Sequence, residues 1–166
     1  MLPPLTLVQA AKDLDVRYPD MPQDWGICNA DATRLSTFVT YFVRHAPTFA
    51  DWGLEFYLGE LLLESANDAL RDSIGEYHEV EAAVRAVLSR QATHPTQLLL
   101  AYWLHLDDLH EDDDDDEGKR HERNAWYPVA SLLRQVQANM AESVSGSFRP
   151  SSGSAATTQY NGDGAE

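Results

Sequence analysis

An acidic run that follows a predicted helix holds the side chains best suited to metal chemistry. Asp107, Asp108, His110 and Asp112 place three carboxylates and an imidazole within six consecutive positions. Carboxylate oxygens and imidazole nitrogens are common ligands of divalent cations. One hypothesis is therefore that this segment binds a divalent cation, either weakly at the surface or as part of a metal-dependent helical enzyme.

The same run has a second interpretation, which we prefer. Five aspartates stand next to one another at residues 112–116. Adjacent like charges repel and cannot be buried together, so such a stretch is typical of a solvated loop. Residues 107–118 are thus predicted to form an acidic surface loop without a bound metal.

No other pattern in the chain indicates catalysis. The Glu-x-x-His spacing that a di-iron bundle needs on two helices does not occur. The single cysteine, Cys28, has no histidine close in sequence, and neither a Gly-x-Ser-x-Gly elbow nor a phosphate-binding glycine loop is present. We therefore predict no catalytic residues, no cofactor and no enzymatic activity.

Acidic side chains recur every four residues along the third predicted helix. This acidic ladder consists of Glu60, Glu64, Asp68 and Asp72, and Glu76 continues the spacing just past the helix. Residues four apart share a helix face and lie about 6 Å apart along its axis, so four acids span roughly 18 Å. That spacing approximates the phosphates of a nucleic-acid strand and suits the basic groove of a nuclease. The alternative is an ordinary solvated stripe on an amphipathic helix.

The charge balance restricts the classes of partner. The chain has 27 acidic residues against 12 basic ones, a formal net charge of −15. Such a charge argues against direct binding to nucleic acid or to an anionic membrane, because both are polyanions. Nine of the acids fall within residues 107–117, and without them the balance is 18 against 12, or −6. A basic protein is therefore the expected partner of a moderately acidic body.

Composition also bears on where the protein acts. No apolar run reaches the roughly 18–20 residues of a membrane span, and residues 1–14 lack the charged start of a secretory signal. One cysteine cannot form an internal disulfide. We predict a cytoplasmic protein, and ten arginines against two lysines are typical of a GC-rich bacterial or phage gene.

Helical periodicity accounts for almost all apolar positions up to residue 140. Thr6 and Gln9 fit a capping box at the first helix, Asp31 is a candidate N-cap of the second, and Trp25 is an expected core anchor in a loop over 18–30. The second helix ends before Pro47. Further helices are predicted at about residues 51–72, 77–91, 96–106 and 127–140. The apolar face of the second helix is predicted to comprise Leu35, Phe38, Val39, Phe42 and Val43.

These elements predict an all-α fold, a compact bundle or orthogonal array of five to six helices. We expect one helical domain over residues 1–141 and a disordered Ser/Gly-rich tail over residues 142–166. The preferred function is a non-catalytic acidic module that neutralises or regulates a basic partner, in the manner of an immunity protein, an antitoxin or a DNA-mimicking inhibitor. The alternative is the metal-dependent or cation-binding protein built on Asp107, Asp108 and His110.

Overall fold

The predicted all-α class is confirmed. The computed structural model describes residues 5–18, 24–49, 52–108 and 127–146, and within these ranges it contains seven α-helices and no strand. The helices are α1 Leu7–Asp13, α2 Trp25–Asn29, α3 Leu35–His45, α4 Trp52–Asp72, α5 Tyr77–Leu88, α6 His94–Asp108 and α7 Pro128–Gly146. Short 3₁₀ turns at Ala32–Arg34 and Ala46–Thr48 flank α3.

Helix α4 is the centre of the fold. It packs against α2, α3, α5, α6 and α7, while α5 also packs on α3 and α7, and α6 on α7. Its apolar side chains are buried on most of its circumference, as the sequence predicts for a central helix. They are Leu54, Leu58, Leu61, Leu62, Leu63, Ala66 and Ala69.

The N-terminal capping signals that the sequence gives for its first two predicted helices, which correspond to α1 and α3, are largely confirmed. The Thr6 hydroxyl accepts a hydrogen bond from the Gln9 backbone N–H at 3.2 Å. The Gln9 side chain donates to Asp13 at 2.5 Å instead of returning to Thr6, so only half of the capping box forms. Asp31 accepts from the Thr33 N–H at 2.9 Å and caps the 3₁₀ turn that leads into α3.

The predicted loop over residues 18–30 is partly wrong, because its second half forms α2. A five-residue helix is too short to show apolar periodicity, which explains why the sequence reads as a loop. Trp25 is fully buried, which confirms its expected anchoring role. Gly26 lets α2 approach α4 closely: a Cβ at this position would lie 2.6 Å from Glu60 and 2.8 Å from the Leu61 nitrogen.

A buried polar network fixes the start of α4 to the connection between α5 and α6. The Glu55 carboxylate is almost fully buried and accepts from Arg90 at 2.8 Å, from Thr96 at 2.8 Å and from the Thr93 hydroxyl. Burial alone would raise the pKa of Glu55, but the hydrogen bonds and the Arg90 charge outweigh it and lower that pKa. The Glu55 carboxylate therefore has a structural role.

Three sequence expectations need correction. Val43 is 55% exposed, so the apolar face of α3 is narrower than predicted. Helix α5 ends at Leu88 rather than near residue 91. Helix α7 continues to Gly146 rather than ending near residue 140; residues 147–166 lie outside the described part of the chain.

Candidate partner-binding site

The structure does not present the acidic ladder as one exposed stripe. Its first member, Glu60, is only 8% exposed and faces α2, where it accepts the Gly26 backbone N–H at 3.2 Å. Burial raises the pKa of Glu60 to about 7, with further contributions from the charges of Glu64 and Asp24, while the Gly26 hydrogen bond opposes the shift. The sequence expectation that Glu60 is a surface residue is therefore wrong.

Glu64, one turn later, is half-buried. Burial raises its pKa to about 7 as well, the neighbouring charge of Asp68 adds to the rise, and the charge of Arg71 opposes it. Among the described side chains, no cation forms a direct ion pair with Glu64. Among the described residues, the cation that acts on Glu64 is Arg71, which pairs with two other carboxylates.

The C-terminal part of the ladder is partly neutralised. Arg71 contacts Asp68 at 2.8 Å and Asp72 at 3.1 Å, so one guanidinium serves two carboxylates in the last turns of α4. Glu76 is exposed at the N-cap position of α5, where its side chain makes no capping hydrogen bond. Asp72, whose side chain is 47% exposed, and Glu76 are therefore the exposed members of the ladder.

Two tyrosines that the sequence interpretation did not select lie on α6 and just before α7, and the first of them is within electrostatic reach of the ladder. Burial raises the pKa of Tyr102, and so do the negative charges of Glu64 and Glu60, with a contribution from Tyr127. Tyr102 is nevertheless 50% exposed and Tyr127 39% exposed. The tyrosines and the ladder lie far apart in sequence, so residue spacing could not connect them. The signal that the sequence did offer was the polar hydroxyl group on each tyrosine ring.

A buried tryptophan supports both rings. Trp103 is fully buried and packs edge-on against Tyr102, with ring centroids 6.1 Å apart, and against Tyr127, with centroids 6.3 Å apart. Edge-to-face packing of this kind is favourable and fixes ring orientation. Tyr102 and Tyr127 are therefore two partly exposed rings held by one buried tryptophan, where α6 meets the residue just before α7.

Negative charge in the described structure is concentrated on one segment. Residues 52–108 carry ten acidic residues against three arginines, whereas acidic and basic residues are equal in number in 5–18, in 24–49 and in 127–146. The three arginines, Arg71, Arg85 and Arg90, all pair with acids of the same segment. After these pairs are counted, seven acidic residues of 52–108 remain without an arginine of the same segment to balance them.

The residues of the metal hypothesis fall at the end of α6 and beyond it. Asp107 and Asp108 end α6, where the structure describes their backbone alone, and His110 and Asp112 lie outside the described residues. Elsewhere in the described part, no three side chains of the metal-binding types His, Cys, Asp and Glu come together. A cation site on the acidic run stays a prediction.

A surface depression lies between α1 and α3. It has a volume of about 400 Å³, and its polar lining includes Asp13, Tyr41 and Arg44. The Tyr41 hydroxyl donates to Asp13 at 2.9 Å; burial, then this hydrogen bond and the Asp13 charge, raise the pKa of Tyr41. A phenol held protonated in this way is poorly suited to act as a base or nucleophile.

Comparisons of the chain with protein-family models, with curated proteins and with solved structures return no match. In the described part of the chain, none of the helices has both the length and the apolar content needed to cross a bilayer.

Proposed function

We propose that this protein is a non-catalytic acidic module that binds a basic protein partner and neutralises or regulates it. The observation that carries the proposal is the confinement of net negative charge to residues 52–108 of the described structure. An excess of negative charge attracts an oppositely charged partner and speeds its association. Because nucleic acids and anionic membranes carry the same sign of charge, a basic protein is the partner that this charge excess suits.

Within this class, an immunity-type or antitoxin-type inhibitor fits the geometry better than a DNA mimic. A mimic of a phosphate strand needs evenly spaced charges that are exposed together. Here Glu60 is buried, and Asp68 and Asp72 share Arg71. The basic partner we propose is a nuclease or another nucleic-acid-acting protein, bound through a patch rather than a linear ladder, in the cytoplasm.

Affinity capture from the native host tests the proposal. We expect the wild-type protein to capture a basic protein at low salt and to release it at high salt, because screening weakens exposed charge pairs. Asp72→Lys and Glu76→Lys each reverse one exposed charge on the acidic segment. Neither variant should unfold the protein, because Arg71 still pairs with Asp68 in the first and no capping hydrogen bond is lost in the second. Each should weaken capture by about tenfold or more.

Glu142→Lys is the matched control, because it makes the same charge change at an exposed position of α7, in a segment with balanced charge. It should leave capture within about twofold of the wild type. Captured proteins that are neutral or acidic, or equal losses in all three variants, would contradict the proposed function.

A further inference from the structure

We propose that a depression between the end of α4 and the start of α5 holds an apolar side chain of the basic partner. Basic residues on either side of that side chain contact Asp72 and Glu76. We call this depression the α4–α5 notch; its apolar lining consists of Ala69, Leu70, Ile74, Tyr77 and Val80. The inference rests on the proposed function and specifies where on the acidic segment the partner is held.

The notch combines buried and exposed apolar side chains. Ala69 and Val80 are almost fully buried, whereas Ile74 is 38% exposed and Tyr77 is 56% exposed. The volume of the notch is about 220 Å³, which is smaller than the roughly 300–1,000 Å³ of small-molecule sites. A single side chain of a partner therefore fits the notch better than a small-molecule ligand does. Such a side chain would remove apolar surface of Ile74 and Tyr77 from water, which favours binding.

The backbone of the turn forms the notch before any partner binds. Helix α4 ends in a Schellman motif: Ser73 has a φ of 55°, in the left-handed region, and the Ile74 N–H donates to the Ala69 carbonyl at 2.9 Å. Only residues 73–76 connect α4 to α5, and the two helices pack against each other. A site that is ordered in the free protein loses less conformational entropy on binding.

Carboxylates at the edge of the notch indicate the chemistry of its occupant. Glu76 lines the notch, and its side chain makes no capping hydrogen bond to α5. Asp72 directly precedes the lining residue Ser73, and its side chain is 47% exposed. Residues 68–79 contain four acids and one arginine, Arg71. A partner segment in which basic residues flank an apolar one therefore complements both the apolar lining and the acidic edge.

Other occupants match only one of these two features. A second copy of the chain would bring the same acidic edge, and like charges would oppose the contact. An anionic membrane is repelled for the same reason. A neutral apolar segment would fill the notch but would partly desolvate the carboxylates of Asp72 and Glu76 without bringing a counter-charge, which costs free energy.

An NMR titration of the isotope-labelled protein with blocked pentapeptides tests the notch. The probe has the sequence glycine–arginine–leucine–arginine–glycine, and two comparison peptides replace the leucine by glycine or both arginines by serine. In about 20 mM salt, where charge pairs are little screened, we expect the probe to shift the backbone amide signals of residues 69–80. Loss of the leucine should weaken binding about fivefold or more, and loss of the arginines about tenfold or more.

Variants that keep every charge then locate the apolar contact. Ile74→Thr/Tyr77→Ser removes the exposed apolar part of the lining and should weaken the probe about fivefold or more. Val43→Thr is the matched control, because it makes the same kind of change at a 55% exposed position of α3. It should change binding less than about twofold. Thermal melting checks the fold of each variant, and the peptide without leucine tests the same contact on the wild-type protein.

Several results would overturn the notch and leave the acidic module standing. One is a probe that does not bind or that shifts signals only outside residues 69–80. Another is a comparison peptide, without leucine or without arginine, that binds as tightly as the probe. A third is a dimer in sedimentation equilibrium that Ile74→Thr/Tyr77→Ser abolishes, since the notch would then hold a second copy of the chain.

The capture assay keeps the failure of the notch apart from the failure of the proposed function. If Asp72→Lys and Glu76→Lys weaken capture of the basic partner and Ile74→Thr/Tyr77→Ser does not, the notch is wrong and the acidic module stands. If neither charge reversal weakens capture, the proposed function itself fails.

Discussion

At the scale of single residues, Glu60 shows how burial changes the meaning of a sequence pattern. Its spacing from Glu64 places it correctly on α4, but α2 covers it and the Gly26 N–H contacts its carboxylate at 3.2 Å. A buried carboxyl group with a raised pKa is a cost to the folded state when it is ionised. Its contribution to stability is therefore open to test by pH.

We predict that Glu60→Gln stabilises the protein at high pH and leaves it unchanged at low pH. The pKa of Glu60 is about 7 in the folded protein and 4.5 as its ordinary value, so the folded state binds the proton more tightly. Wild-type stability should fall as pH rises from about 4.5 to about 7 and then level off. At about pH 8 the variant should gain about 1–3 kcal/mol in urea unfolding.

Glu142→Gln, on the exposed end of α7, removes a carboxylate outside the ladder and should show little difference from the wild type at either pH. A Glu60→Gln variant that is equally or less stable than the wild type at high pH would show that the Glu60 carboxylate is not a burden when ionised.

Gly26 gives a second residue-scale prediction. A Cβ added there would lie 2.8 Å from the backbone nitrogen of Leu61 as well as 2.6 Å from Glu60, and backbone cannot move aside. Gly59 also faces a close neighbour, but at 2.7 Å it meets the tip of the Leu99 side chain, which can rotate. Gly26→Ala should therefore cost about 1–3 kcal/mol and Gly59→Ala less. Urea unfolding of both variants measures the difference; equal costs would contradict this account of α2 packing.

At the scale of elements, the sequence predicts the long helices well and the covering of their faces poorly. The recurrence of apolar residues in α3, α4 and α5 depends on local spacing, which can be read directly from the sequence. Which side of α4 meets solvent depends on α2, a helix too short to be periodic, and on α6 and α7, which also pack on α4 and bring Tyr102 and Tyr127 together on Trp103. Long-range packing therefore determined both the error at Glu60 and the omission of the two tyrosines.

The connection between α4, α5 and α6 depends on one buried ion pair, and we predict that Arg90→Met loosens it. The variant leaves the Glu55 carboxylate buried without its cation, which should cost about 2–4 kcal/mol. Arg85→Met removes the exposed Arg85–Glu81 pair, at 2.6 Å, and should cost less than about 1 kcal/mol. Thermal or urea unfolding compares the two, and a double variant Glu55→Met/Arg90→Met should recover part of the loss. Similar small costs for both arginines would contradict a structural role for Arg90.

The Glu55–Arg90 pair adds a pH dependence of stability that is opposite in sign to that of Glu60. Because the pKa of Glu55 is lowered in the folded state, its stabilisation is present above the ordinary carboxyl value of 4.5 and is lost as pH falls below it. The carboxylates of one helix therefore respond to pH in two directions, and their contributions to stability overlap most favourably near the ordinary carboxyl value.

At the scale of the whole molecule, the formal charge of −15 should itself limit stability. Self-repulsion among excess acids favours expanded states, and added salt screens it. We therefore predict that sodium chloride raises the melting temperature by several degrees between about 10 mM and about 300 mM ionic strength.

Calcium chloride at matched ionic strength should add little more if the acidic run acts only as diffuse charge. A specific site on that run predicts instead a larger calcium effect at about millimolar concentration, which Asp107→Asn/Asp108→Asn abolishes. Scanning calorimetry in the two salts, with wild type and double variant side by side, therefore decides between a solvated loop and a cation site without reference to any activity.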